Sequence, residues 1–145
     1  MNAHHAILAL LSDYFDGLYR GDTALLRAVF HPEAASFSAM GGSRAHQRVA
    51  NWLELVAQRP SPQERGEAFR MRVLSLSVLH DIALAQVHVP AHGFDYYNVL
   101  SLVRVEGRWM IANKVFTDLH GRADAVVAPA AASGHEVEQR QGLVP

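Results

Sequence analysis

The apolar positions of this sequence follow a helical period before residue 60 and an alternating period between about residues 69 and 119. Residues 3–20 carry apolar side chains at helical spacing, and Gly21 predicts the end of that helix because glycine adopts the left-handed conformation without strain. Asp22 is a typical N-cap for a short second helix. A third helix is predicted over residues 43–59, with a serine at its start as the cap.

The strand-like segments come after the helices. Residues 34–40 predict a short strand, and residues 69–92 and 94–119 predict two hairpins. The second hairpin turns at Glu106-Gly107, where an acidic residue before glycine favours a two-residue loop. Helices followed by strands are typical of the α+β class. The predicted fold is a cone-shaped, bent antiparallel sheet with three N-terminal helices packed on its concave face.

Both faces of the second hairpin are largely apolar, whereas a hairpin exposed to water on one side is polar on that side. A two-residue loop places one set of side chains inside the cone and the other outside. The predicted outer set is Val99, Val103, Val105, Met110, Ala112 and Phe116. Since the helices cover only one face of the sheet, this outer patch predicts a homodimer formed through the outer sheet face.

Composition narrows the function classes. A chain of 145 residues is predicted to form one domain over residues 1–119, followed by a tail of Ala, Gly and Pro at residues 120–145. We expect the tail to be mobile, with an arm that packs on a neighbouring chain as the alternative. The chain has no cysteine, a formal net charge of -1 and scattered arginines, which argue against disulfides and nucleic-acid binding. No signal peptide or membrane span is predicted, so we expect a cytoplasmic protein.

The hairpin sequence DYYNVLSLVRVEGRWMIANKVF resembles the last hairpin of nuclear transport factor 2-like proteins, most closely the lumazine-binding branch related to the SnoaL-like polyketide cyclases. The opening of the chain is similar as well, with Tyr14, Phe15, the Gly21-Asp22 break and the run Phe30-His31-Pro32. The resemblance covers about residues 5–119. It implies the cone fold and pairing of subunits. It leaves the function open, because the superfamily holds isomerases, cyclases, dehydratases and plain binding proteins.

Two residues are candidates for catalysis. The hydroxyl of Tyr14 could donate to a ligand carbonyl from the first helix, and His31 could act as a general base at a pocket mouth. The alternatives are an ordinary helix-core tyrosine and a surface histidine before proline. An isomerase of the ketosteroid type would need a carboxylate base near the short strand. Residues 35–39, ASFSA, contain none, which argues against that reaction.

The inner face of the sheet and the helix stripes are expected to converge on an apolar pocket. Its predicted lining is Phe30, Trp52, Tyr96, Asn98, Trp109, Ile111 and Asn113. The two asparagines either form a satisfied core network or face a ligand, because a buried amide without a partner costs about 1–3 kcal/mol. The predicted partner is a small apolar or aromatic ligand.

No metal site and no cofactor are predicted. His88 and His92 are separated by about 13 Å if they lie four apart on one strand, which is too far for a shared ion. Three functions stay open. The first is small-molecule binding, the second a general acid–base lyase, isomerase or cyclase, and the third a dimeric association module without a ligand.

Overall fold

The computed structural model describes residues 2–40 and 43–119, so the predictions for the tail at 120–145 lie outside the described residues. The three helices are α1 (Ala3–Arg20), α2 (Thr23–Val29) and α3 (Val49–Gln58). The six strands are β1 (Phe30–Met40), β2 (Ser43–Arg48), β3 (Arg72–Leu79), β4 (Ile82–Ala91), β5 (Phe94–Val105) and β6 (Arg108–Asp118).

The first two helices begin and end where local chemistry requires. The Asn2 side chain accepts a hydrogen bond from the His5 amide at 2.9 Å and thereby caps α1. Gly21 ends α1 with φ 68° in the left-handed region, as predicted. Asp22 then caps α2 by accepting from the Leu25 amide at 3.1 Å.

The sheet has the strand order β2-β1-β6-β5-β4-β3. The α+β class and the packing of helices on a curved sheet are confirmed, but the expectation of a wholly antiparallel sheet is wrong at one pairing, because β1 runs parallel to β6. The chain forms the hairpin β1–β2 and then passes through α3 to β3 at the far edge of the sheet. No tight turn joins β1 to β6, so no hairpin fixes their relative direction.

The predicted start of the third helix is wrong. Residues 43–48 form β2, which pairs antiparallel with β1, and the Ala45 amide donates to Ser38 Oγ at 3.1 Å. The helix begins at Val49, after Arg48 in an extended conformation. Its buried side is the predicted one, formed by Val49, Trp52, Leu53 and Val56. The first strand also begins earlier than expected, at Phe30.

A β-bulge in β6 decides which residues face the interior. The turn at Glu106-Gly107 has two residues with φ 53° and 77°, so Val105 pairs with Arg108 as predicted. Farther along, Leu102 pairs with Ile111 but Ser101 pairs with Asn113, which leaves Ala112 without an opposite residue. Every later side chain of β6 therefore changes face. Lys114, Phe116 and Asp118 are buried toward the helices, while Val115 is exposed.

The hydrophobic core lies between the three helices and the concave face of the sheet. Its largest fully buried side chains include Trp52, Tyr14, Tyr96 and Lys114. In the described part of the chain, no helix has the length and apolar character needed to cross a membrane.

Candidate functional site

Aromatic rings from three elements meet inside the cone. Tyr14 comes from α1, Phe30 from the start of β1 and Trp52 from α3. The Phe30 ring packs edge-on against both others, with centroid separations of 5.8 Å to Tyr14 and 5.8 Å to Trp52. Such edge-to-face contacts stabilise aromatic pairs beyond the area they bury. These rings form one apolar wall of the interior.

Lys114 of β6 points into this aromatic cluster. Its side chain is 0% exposed, and its Nζ lies 4.0 Å from the centroid of the Trp52 ring, 5.5 Å from that of Phe116 and 5.9 Å from that of Tyr14. Within the described residues, the Nζ atom has no hydrogen-bond partner and no ion pair. The interior thus holds an amine that is surrounded by ring faces and isolated from carboxylates.

Burial lowers the pKa of the Lys114 amine well below 10.5, and the nearby positive charge of Arg59 lowers that pKa further. Both causes act in one direction, because a low-dielectric site and a like charge each disfavour the ammonium form. A neutral amine keeps a lone pair on nitrogen. The lowered pKa thus favours the form of Lys114 whose nitrogen can accept a hydrogen bond.

A second polar group in the interior joins α1 to β5. The Asn98 amide nitrogen donates to the Tyr14 hydroxyl oxygen at 2.8 Å, and both side chains are 0% exposed. Burial raises the pKa of the Tyr14 phenol, and the hydrogen bond from Asn98 offsets only part of that effect. The phenol therefore keeps its proton. Asn98 Oδ1 and the indole nitrogen of Trp52 are buried without a partner among the described residues.

One end of the interior carries positive charge from Arg59, which follows α3. One terminal nitrogen of this guanidinium, Nη1, is buried with no hydrogen-bond partner in the described ranges. Burial lowers the pKa of Arg59 to about 10, while its charge interaction with Tyr96 acts in the opposite direction. Burial also lowers the pKa of His92 to about 4, followed in size by the effect of Arg59. Glu67 raises the pKa of His92 and accepts from its backbone amide, so charges of both signs meet at this end of the cone.

Most of the predicted lining residues share the concave face, at different depths. Tyr14, Phe30, Trp52 and Asn98 belong to the cluster around Lys114, and Ile111 is the strand partner of Phe30. Tyr96 lies farther along β5, with its ring 6.0 Å from that of Phe116. Trp109 lies near the other end, where the Arg104 guanidinium stacks 5.3 Å from its ring centroid.

The prediction that the Asn113 side chain faces the interior pocket is wrong. The bulge at Ala112 places Asn113 opposite Ser101 on the convex face, and Lys114 takes the inward position. Phe116, expected on the outer face, is buried inside for the same reason.

His31 is not in the aromatic cluster. It lines a surface cavity of about 280 Å³ between α2, α3 and the start of β1, and its Nδ1 accepts from the Glu33 amide at 3.0 Å. Phe30 belongs to both places, because it lines this cavity and also packs against Tyr14 and Trp52. The two candidate catalytic residues therefore belong to different places, Tyr14 to the aromatic cluster and His31 to the surface cavity.

Similarity to known proteins shows which family this chain belongs to. Residues 2–117 match the model of the family described as "Putative lumazine-binding". The chain belongs to this lumazine-binding family.

Solved structures similar to this family member share its fold. A nuclear transport factor 2-like protein of unknown function from Shewanella baltica is 23% identical, with a TM-score of 0.70 over 79% of this chain and 92% of the other. A second one, from Silicibacter pomeroyi, is 22% identical, with a TM-score of 0.67 over 81% and 99% of the two chains. These likenesses confirm the cone-shaped α+β fold.

One curated protein is similar in sequence. It is the aldolase FrzH of a Cladobotryum species, 21% identical over 113 residues, which cover 78% of this family member and 89% of the aldolase.

Sequence reasoning missed Lys114, although the sequence contains a signal for it. The chain has 13 basic residues, of which twelve are arginines and one is lysine. That single lysine lies in an otherwise apolar strand, at NKVF. The alternating pattern assigned it to the outer face, because a bulge cannot be seen in the alternation. Among the described residues, no group of three His, Cys, Asp or Glu side chains is arranged to hold a metal.

Proposed function

We propose that this protein binds a small organic molecule inside the cone, against Lys114, Asn98 and Trp52. The supporting observation is that each of these side chains is 0% exposed and carries a polar atom without a partner among the described residues. An unpaired buried polar group costs about 1–3 kcal/mol, and native proteins contain few of them. A ligand that pairs with these atoms would offset that cost.

The chemistry of the three groups restricts the ligand. The Trp52 indole nitrogen can only donate, so it requires an acceptor such as a carbonyl oxygen, whereas Asn98 Oδ1 requires a donor. The aromatic walls favour a planar, largely apolar body. Lumazine, the compound in the family's name, is a flat bicyclic dione with ring N–H donors and carbonyl acceptors. A ligand of that general type would offer the donors and acceptors that these buried groups require.

Access to the interior would involve Phe30. This side chain separates the surface cavity from the aromatic cluster, and it is the residue common to both. Rotation of one ring would join the cavity to the space around Lys114. His31 would then lie at the mouth of that passage, where it meets an incoming ligand but not the buried amine.

Isothermal titration calorimetry with lumazine and with 2-naphthaldehyde tests this proposal. We expect binding of at least one compound, weakened about tenfold by Asn98→Leu, since one lost hydrogen bond is worth about 1–1.5 kcal/mol. Asn113→Leu is the matched control, because it removes the same amide from the convex face. Binding of neither compound, or an equal effect of both substitutions, would contradict an interior site.

A second candidate function is a lyase acting on carbonyl compounds. It is favoured by the Cladobotryum relative, which is named an aldolase, together with a buried amine and a protonated Tyr14 hydroxyl in one interior. In this reading Tyr14 donates a hydrogen bond to substrate oxygen, and His31 acts only at the surface cavity. Release of an aromatic aldehyde from a fluorogenic β-hydroxyketone measures the activity. Activity unchanged by Tyr14→Phe would exclude the donor role.

We further propose that two copies pair through the convex sheet face. Its exposed apolar side chains form neighbouring rows across the strands, because Val99 pairs with Val115 and Val115 pairs with Phe37. The exposed Ile82 and the half-buried Val103 and Met110 form a second row in the same way. An isologous contact would remove both rows from water.

A further inference from the structure

We infer that Lys114 is a covalent nucleophile that forms an imine with an aldehyde or ketone held in the cone. This inference rests on the proposed interior site and adds a bond-forming step to it. The substrate class is a carbonyl compound with an aromatic or otherwise apolar body, since rings line the space around the amine.

The composition of the chain supports a specific need for lysine at this position. Twelve of the 13 basic residues are arginine, and the only lysine in the chain is 0% exposed. Arginine remains protonated in proteins and forms no imine, whereas a lysine amine does so once it is neutral. For stability alone, an apolar side chain would suit the site better, because an unpaired buried ammonium is costly.

The surroundings of Nζ favour the reactive form. Trp52, Phe116 and Tyr14 exclude water from it. Arg59 is the charged group that acts on the amine, and its positive charge favours loss of the ammonium proton. The Tyr14–Asn98 pair, from α1 and the neighbouring strand β5, supplies a neutral hydroxyl for the substrate oxygen. The site thus holds a nucleophile, a donor and an apolar wall within one interior.

The reaction is balanced without a further reagent. The lone pair of neutral Nζ attacks the carbonyl carbon, and the C=O π electrons move to oxygen. One hydrogen of the amine is transferred to that oxygen as a proton, which gives a carbinolamine. The C–O bond then breaks with loss of the second amine proton, so the carbonyl oxygen leaves as water and a C=N bond joins the substrate to Lys114. Hydrolysis reverses these steps.

Trapping with borohydride tests the inference on the whole chain. The protein is mixed with 2-naphthaldehyde at pH 7, reduced with sodium borohydride, digested and mapped by mass spectrometry. We expect a secondary amine at Lys114, and the N-terminal amine serves as an internal reference. Lys114→Met should lose the interior adduct, while the N-terminal amine is labelled as in the unmodified protein.

A relocated lysine provides the matched control. In Lys114→Met combined with Arg72→Lys, the new amine lies at an exposed position of β3. We expect its labelling at pH 7 to be lower than that of Lys114, because the lowered pKa of Lys114 leaves a larger fraction of that amine neutral. A pH series gives a second measurement. Labelling of Lys114 in the unmodified protein should begin at lower pH than labelling of the relocated lysine in the double variant.

The outcomes separate the two proposals. If calorimetry shows that the aldehyde binds but Lys114 stays unlabelled while the N-terminus reacts, the imine is excluded and the binding site stands. If the aldehyde does not bind and Lys114 is not labelled, the imine is excluded together with aldehyde binding in the interior. Equal labelling of the buried and relocated lysines would also overturn the inference.

Discussion

The Nζ atom of Lys114 lies 4.0 Å from the centroid of the Trp52 ring, with both side chains fully buried. A desolvated cation–π contact is worth about 2 kcal/mol, which is less than the cost of taking an unpaired ammonium out of water. The cation–π contact therefore does not compensate for the cost of burying an ammonium ion at this position. The amine is expected to be neutral in the folded protein, and its protonation should oppose folding.

Replacing this lysine should stabilise the protein in a pH-dependent way. Lys114→Met is expected to raise the free energy of unfolding by roughly 1–4 kcal/mol at pH 6. The pKa is lowered in the folded state, so the unfolded chain binds the proton more readily between the lowered value and 10.5. The free energy of unfolding of the wild type should therefore rise relative to that of the variant as pH increases through that window. Urea midpoints at several pH values measure the difference.

Lys114→Arg is the control for that experiment. A guanidinium cannot lose its proton in this range, so the variant should be less stable than wild type at every pH. A difference between wild type and Lys114→Met that stays constant with pH would contradict a lowered amine pKa.

His92 should make the protein sensitive to mild acid. Its pKa falls from 6.5 to about 4 on folding, chiefly through burial, so no stability is lost above pH 6.5 and the loss grows as pH drops toward 4. We expect His92→Asn to reduce this loss of unfolding free energy in acid by about 1–2 kcal/mol, after allowance for the partial exposure of the side chain. Asparagine tolerates the left-handed conformation at this turn, where φ is 57°.

Urea unfolding at pH 7 and pH 4.5 checks the histidine prediction. His80→Asn is the matched control, because His80 is an exposed turn residue with φ 53°. An equal change in acid sensitivity for both variants would show that the burial of His92 is not the cause.

The convex face supplies a test of association. Val115→Glu places a charge between Val99 and Phe37, and we expect it to produce monomers while the fold is retained. Leu8→Glu on α1 is the control, since Leu8 is also exposed but lies away from the sheet. Sedimentation at micromolar concentration gives the mass. A monomeric wild type would refute the dimer. A charge at Phe116, first expected on this face, should instead unfold the protein because that ring is buried.

The packing of α1 on α2 depends on the absence of a side chain at Gly17. A Cβ at this position would lie 2.6 Å from Leu26 Cγ and 2.7 Å from its Cδ2. We expect Gly17→Ala to destabilise the protein by about 1–3 kcal/mol through overpacking, partly offset by a gain of about 1 kcal/mol in helix propensity. Thermal unfolding of the single variants and of Gly17→Ala with Leu26→Ala measures the coupling. Strict additivity in the double variant would rule out this contact as the cause.

The sequence was sufficient for the parts of the fold that depend on local chemistry. Gly21, Asp22 and the Glu106-Gly107 turn lie where the pattern predicts them. The bulge at Ala112 was not predictable, because its neighbours alternate without interruption and the extra residue appears only in the pairing of β5 with β6. Beyond the bulge, each side chain of β6 lies on the face opposite to the predicted one. Asn113 is therefore outside the candidate site, and Lys114 is inside it.

The third helix shows a different limit. Residues 43–48 contain a good cap followed by helix-compatible residues, so local preference favoured an early start. Pairing with β1 prevails instead, because that edge of the sheet offers backbone hydrogen bonds over six residues. Strand pairing, which local preference does not reveal, decided both errors.

The single lysine has a consequence for labelling this protein. N-hydroxysuccinimide esters, acetyltransferases and ubiquitin ligases all act on ε-amines, and the chain offers only one, at Lys114. In the folded domain that amine is fully buried. Acylation at this position would therefore proceed only as fast as the cone opens. The amount of acylated Lys114 over time would measure the rate of that opening.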